Sequence, residues 1–228
     1  MWHPDTAMEN LYRNFEEKRK QLKKSESAEQ TKARVKEKLA GSLGISKEKD
    51  ELRPMLLERL ELEDHFRERV EFGTVWGFRV PAYVLIPKGA SGKTPAVLAI
   101  HGHGYGSRQI VGLHPDGTEH TGEADIHGNY ARELVKRGFI VIAPEVIGFG
   151  DRRLEADQAN GQVGNSSCQT LASHLLLYGI SLAGLRVQEA LCALDYIVTR
   201  EDVDVDRVSC MGFSGGGLLA AYASAFIG

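Results

Sequence analysis

Three cysteines in 228 residues, Cys168, Cys192 and Cys210, are an odd number at wide and unpatterned spacing. That argues against a disulfide framework and against a cysteine-rich zinc site, and it makes a reducing cytoplasm the expected compartment. No apolar run approaches the ~18 to 20 residues that cross a bilayer, and the start Met1-Trp2-His3-Pro4-Asp5 has neither the basic nor the apolar region of a secretory signal. An excess of one charge is missing too. The 28 Lys and Arg against 31 Asp and Glu leave a net charge of -3 and a pI near 6.3, so neither nucleic acid nor an anionic membrane is an expected partner. What remains is an ordinary folding composition, 42% hydrophobic and 26% charged, in a chain long enough to bury a sizeable core.

Charge is spread unevenly, with 31 of the first 70 residues charged against 28 of the other 158. This predicts a helical N-terminal extension over residues 1–65 and an α/β domain over 66–228. In the extension, Met8, Leu11, Tyr12, Phe15 and Leu22 form a narrow stripe at helical spacing, which either docks on the following domain or serves as a dimer arm or a lid support. A second helix is expected from about Ala28 to Ala40, capped by Ser27 and stopped by Gly41, and a third after Pro54 through Met55, Leu56, Leu57, Leu60 and Leu62. From Phe66 the pattern turns to strands. Val70, Phe72 and Val75, then the alternation Phe78, Val80, Ala82, Val84 and Ile86, read as two paired strands before a turn at 88–94. The runs 96–100 and 139–143 are apolar throughout, as in strands buried on both faces, and helices are expected at about 125–137 and 182–199. Alternating strands and helices predict a mostly parallel sheet with helices on both faces. The long connections 102–124 and 144–169 each follow a buried strand, at the edge of such a sheet where ligands bind.

Gly212-Phe213-Ser214-Gly215-Gly216 follows the strand expected at 208–213 and opens a helix of small residues. A chain with 25 glycines produces G-x-S-x-G by chance at roughly 0.15 per sequence, so the strand-to-helix context carries the reading. Gly212 and Gly216 permit the sharp elbow, and Ser214 at its tip is the candidate nucleophile. The alternative is a phosphate-cradling turn, which lacks the lysine and the glycine spacing of the known phosphate loops. His101-Gly102-His103-Gly104 ends the 96–100 strand, and the backbone N–H of His103 with that of Gly215 would form an oxyanion hole. His101-x-His103 with His114, His120 and His127 also admits a metal reading, against which stands the ordinary use of histidine in glycine-rich loops.

Together with Pro144-Glu145-Val146-Ile147-Gly148-Phe149-Gly150-Asp151, the helix ending Ala193-Leu194-Asp195-Tyr196-Ile197 and Val205-Asp206-Arg207-Val208, these motifs resemble an α/β-hydrolase over about 66–228. The resemblance is to the dienelactone-hydrolase and acetyl-xylan-esterase-like branch. It implies an esterase acting on small carboxylic esters or lactones through Ser214, with the oxyanion hole at His103 and Gly215 and with no metal or cofactor. Asp151 and Arg152 fall on a pocket-edge loop or in a surface ion pair, Asp195 and Asp206 on a helix face and a turn, and Cys210 in the core. A departure from the family is that only 14 residues follow Ser214, whereas the family's acid and base come later in the chain. The expectation is a hydrolase domain whose last strands, acid and base lie beyond Gly228. A prolyl-oligopeptidase-like serine peptidase and a non-catalytic binding module are the alternatives. The N-terminal helices and the open sheet edge are the expected surfaces for a homo-oligomer.

Overall fold

The computed structural model describes residues 3–89, 92–123, 125–159 and 164–227 and divides the chain into two units, Met1–Ser42 and Leu43–Gly228. The first unit is helical. Helix α1 (Asp5–Ser25) carries the apolar stripe and buries none of its residues. Helix α2 (Ala28–Leu43) begins with a reciprocal cap: Gln30 N–H donates to Ser27 Oγ at 3.2 Å, and Ser27 N–H donates to Gln30 Oε1 at 2.8 Å. The helix continues past Gly41 because the left-handed turn that ends it is supplied by Gly44, at φ +68°.

The expected third helix is instead strand β1 (Met55–Glu61), which moves the start of the second unit to Leu43, well before residue 66. Its leucines suit a helix, but its charges suit a neighbour. Glu58 pairs with Arg69, Arg59 with Glu68 and Glu61 with Phe66 across to β2 (His65–Gly73), and Arg59 Nη1 donates to Glu68 Oε1 at 3.0 Å. Opposite charges facing each other across a ladder support the strand. β2 runs antiparallel to β3 (Arg79–Pro87), completing an antiparallel half.

The two apolar runs become β4 (Thr94–Ile100) and β5 (Ile140–Pro144), the latter buried at all five positions. Ala90 and Ser91, at the centre of the 88–94 turn, lie outside the described residues, as do 160–163 in the second long connection. Between β4 and β5 come α3 (Ser107–Val111) and α4 (Tyr130–Lys136), the latter shorter at its start than expected because Asn129 takes a left-handed conformation at φ +47°. After β5 follow α5 (Glu155–Ala159), α6 (Cys168–Leu177) and α7 (Leu182–Val198), then β6 (Val203–Gly212) and α8 (Gly215–Ser224).

The strand order is β1-β2-β3-β5-β4-β6. β4 lies parallel to β5 and β6, whereas β1 to β3 and the β3–β5 pair are antiparallel. The sheet is therefore mixed, where a mostly parallel one was expected, and the parallel pairs are confined to its C-terminal half, where crossover helices connect the strands. Helices cover both faces. Tyr83, Leu85, Ala99, Val141 and Ala143 pack with Ile110 and Val111 of α3 and Ala131 and Val135 of α4. Because successive strand residues alternate in direction, Phe72, Val84 and Ile142 face the other way, where Phe72 stacks on Tyr196 of α7 at 5.3 Å.

Candidate active site

β6 ends at Gly212 and α8 begins at Gly215, so the chain reverses within two residues. Ser214 takes φ +51°, ψ -118°, a conformation that costs a residue with a side chain on the order of 1 to 3 kcal/mol. The glycines around it are required by contact. A Cβ on Gly216 would run into the Ile100 carbonyl oxygen and sit 2.5 Å from that of His101, and a Cβ on Gly212 would collide with the Gly216 carbonyl. The start of α8 therefore lies directly against the end of β4. Phe213 N–H donates to the Ile100 carbonyl at 3.2 Å, and Gly216 N–H to the Phe213 carbonyl at 2.8 Å. Gly216→Ala is expected to cost about 3 kcal/mol or more, seen as a lowered urea midpoint, because the clash is with backbone of a central strand. An unchanged midpoint would show that the elbow can move off β4.

Ser214 is exposed, and its hydroxyl has no hydrogen bond among the described residues. Beside it stands the turn after β4. His103 is exposed, and its ring lies 3.3 Å from the position a Cβ of Gly215 would occupy, so the absence of a side chain at Gly215 lets the two turns meet. The His101 ring is buried: Nδ1 lies 2.8 Å from the Gly102 carbonyl, and Nε2 lies 3.1 Å from Val146 N and 3.3 Å from Glu145 Oε1. Phe149 presents edge contacts to both rings, at 5.4 Å from His101 and 5.0 Å from His103. These residues border a cavity of about 280 Å³, walled by Val146, Phe149, Leu182, Leu218 and Leu219 and floored by residues 101–103 with Gly215 and Gly216. Of the expected site residues, His103, Gly215 and Gly216 line this cavity, and Ser214 and Gly212 lie on the adjoining elbow without lining it.

Three residues at this place went unassigned from the sequence. Arg186 of α7 lines the cavity, lies 5.0 Å over the Phe149 ring and donates through Nε and Nη2 to the Ile147 carbonyl, at 3.1 and 2.6 Å. Phe149 is the second. Glu145, fully buried, is the third: burial alone would raise its carboxyl pKa, but the His101 ring beside it and the hydrogen bonds from Ser107 outweigh burial and hold it below the usual carboxylate range. A carboxylate directly after an all-apolar strand was the available signal.

The other candidates separate. Arg152, partly buried, forms a bidentate pair with the buried Glu189 of α7, both contacts 2.6 Å, which pins the loop after β5 to the helix. Asp151 is exposed and accepts from Arg108 at 2.7 Å and Arg69 at 3.3 Å. Asp195 pairs with Lys49 at 2.5 Å. Asp206, expected in a turn, lies within β6, in the stretch between Val203 and Val208 where the register with β4 shifts. His114 and His120 face each other at 4.5 Å away from the cavity. His127 packs on the Phe213 ring at 4.8 Å, and burial, opposed by Asp125, lowers its pKa and keeps it neutral. Among the described residues no three His, Cys, Asp or Glu side chains are grouped to hold a metal. Burial pushes the Cys210 thiol of β6 up to about 11, which leaves it protonated at neutral pH.

An antiparallel lead-in, parallel central strands and a glycine-walled serine elbow on the strand next to the histidine turn define an α/β-hydrolase fold. The chain belongs to the Abhydrolase family, whose sequence model matches residues 6–220. It is 31% identical over 180 residues to YtaP of Bacillus subtilis (strain 168), named as a hydrolase, covering 76% of this chain and 54% of that protein. Among solved structures it is similar to a Bacteroides fragilis NCTC 9343 protein assigned as an acetyl xylan esterase, with a TM-score of 0.70 at 19% identity, over 84% of this chain and 49% of that one. It is also similar to the glucuronoyl esterase from Solibacter usitatus, with a TM-score of 0.57 at 13% identity, over 89% and 57%. The chain spans about half the length of these relatives.

Proposed function

We propose that this chain carries the nucleophile and oxyanion hole of a serine hydrolase acting on small carboxylic esters or lactones. The observation that supports this most is Ser214 itself, held exposed and strained at the tip of a β6–α8 turn beside the cavity. Its Oγ attacks the ester carbonyl carbon as a base takes the hydroxyl proton. The ester C–O bond then breaks, the alcohol leaves with that proton, and water releases the acid from the acyl-serine. Gly215 is the first residue of α8, where a backbone N–H has no acceptor within the helix and is free to face the developing oxyanion. His103 supplies the second N–H from the facing turn. The cavity, at about 280 Å³ with mostly apolar walls, suits a short acyl or alcohol group. The ester-directed names of the structural relatives favour esters over the peptide alternative.

The test is covalent labelling of the gene product that carries residues 1–228 with a fluorophosphonate, read by peptide mass spectrometry alongside turnover of p-nitrophenyl acetate and of an aminoacyl anilide. Label on Ser214 with acetate turnover alone is expected. Label on another residue would overturn the assignment, and anilide cleavage would favour the peptidase. In the same assay His103→Ala should lower kcat by less than about tenfold, because the donor is backbone, whereas losing an oxyanion donor itself costs ~10² to 10³. A loss of that larger size would mean that the imidazole takes part.

A further inference from the structure

Glu145 is a buried carboxylate that the proposed chemistry does not use. It is the first residue after β5 and fully buried, and its side-chain partners are two groups of Ser107 and the ring of His101. Ser107 N–H donates to Oε1 at 3.0 Å, Ser107 Oγ donates to Oε2 at 2.7 Å, and His101 Nε2 lies 3.3 Å from Oε1. Each of these belongs to the segment that leaves β4, so the carboxylate grips both ends of the 101–107 turn from below. The loops close tightly around it. A Cβ on Gly106 would collide with Oε1 and one on Gly150 would come within 2.6 Å of it, and both glycines hold positive φ, +99° and +49°. The residue's own backbone is fixed as well: its N–H donates to the Pro81 carbonyl at 2.9 Å, and its carbonyl accepts from Arg152 Nη1 at 3.1 Å. A buried ionised group that an apolar side chain could replace contributes little net stability, so its value lies in the geometry it specifies.

We infer that Glu145 is a positioning residue that aims the His103 backbone N–H at the reacting oxygen by holding His101 and Ser107 at the two ends of the turn. The inference rests on the serine-hydrolase reading for its catalytic consequence, but the claim about the turn stands without it.

The experiment uses the gene product that carries residues 1–228, as wild type, Glu145→Ala, Glu145→Gln, Ser107→Ala and Ser214→Ala. Glutamine keeps the shape, an acceptor for Ser107 and a polar partner for His101. With active sites titrated by fluorophosphonate, Glu145→Ala should lower kcat ~10²-fold with KM within about threefold, as one misplaced oxyanion donor would. Ser107→Ala should lower it by roughly tenfold, and Glu145→Gln should recover kcat to within about tenfold of wild type. Hydrogen exchange supplies the readout that needs no activity: amides in a peptide spanning 101–107 should exchange faster in Glu145→Ala and return in Glu145→Gln, while peptides of β3 and β5 keep their protection. A loss confined to KM, an unchanged 101–107 peptide, or glutamine as damaging as alanine would overturn the inference. If alanine does not fold, glutamine and Ser107→Ala decide it by the same two readouts. Activity retained in Ser214→Ala would instead sink the hydrolase reading, and the exchange data would still judge Glu145.

Discussion

Ser214→Ala is expected to reduce hydrolysis of p-nitrophenyl acetate by the gene product at least 10³-fold while moving the unfolding free energy by less than about 0.5 kcal/mol. The two halves have separate causes. The hydroxyl is exposed and without a hydrogen bond among the described residues, so its removal leaves no buried partner unsatisfied. The strain at φ +51° belongs to the backbone and to Cβ, which alanine keeps. The proposed chemistry depends on that oxygen alone, because the thiol of Cys210 is protonated and points to no alternative nucleophile on this strand. A variant that kept more than a tenth of the wild-type rate would remove Ser214 from the reaction. One that lost activity together with several kcal/mol of stability would show that the hydroxyl holds the elbow and would leave its chemistry open to the labelling test. Glycine at 214 separates the two effects further: it should be equally inactive and more stable than alanine, since it takes positive φ without strain.

What could be read beforehand follows the range over which a signal acts. β4 and β5 were legible because strands buried on both faces are apolar throughout, and the elbow was legible because steric contact forces glycine at 212 and 216. Residues 55–61 misled because Met-Leu-Leu-Glu-Arg-Leu-Glu is locally helical; its strand state depends on charges of the neighbouring strand β2, beyond the reach of a helical turn. The parallel arrangement was overextended for the same reason, since pairing between β3 and β5 is decided across the sheet. Glu145 and Arg186 were missed because their partners, Ser107 and Ile147, lie about forty residues off, and a single charged residue in a motif has no periodicity to betray it. The alignment of His103 with Gly215 is a meeting of two turns from separate strands, so only the motif resemblance hinted at it.

The polypeptide of residues 1–228 on its own is expected to hydrolyse p-nitrophenyl acetate at least 10³-fold more slowly than a complete serine esterase and to self-associate. A serine hydroxyl is a poor nucleophile at neutral pH until a base takes its proton, and no imidazole among the described residues is hydrogen-bonded to Ser214 Oγ. His101 is engaged with Gly102 and Val146, and His127 is buried against Phe213. What would remain is the proposed oxyanion hole and binding, which in serine proteases account for ~10³ to 10⁴ over water. The association has a different origin. β6 is the outermost strand of its side of the sheet, and its last stretch, Val208 to Gly212, carries no charge, with Met211 45% exposed and Phe213 exposed beside it; Val205, between the charged Asp204 and Asp206, is 48% exposed. A strand with an uncharged stretch on an unpaired edge templates pairing with a further strand. Light scattering on the purified polypeptide should therefore show dimers or larger species, shifting toward monomer in Val205→Lys and Met211→Lys. Rate measurements on the same samples separate the two claims. Monomers that are inactive would leave the expectation of slow turnover standing and discard the edge as a contact. Association with rapid turnover would show that a base reaches Ser214 within residues 1–228.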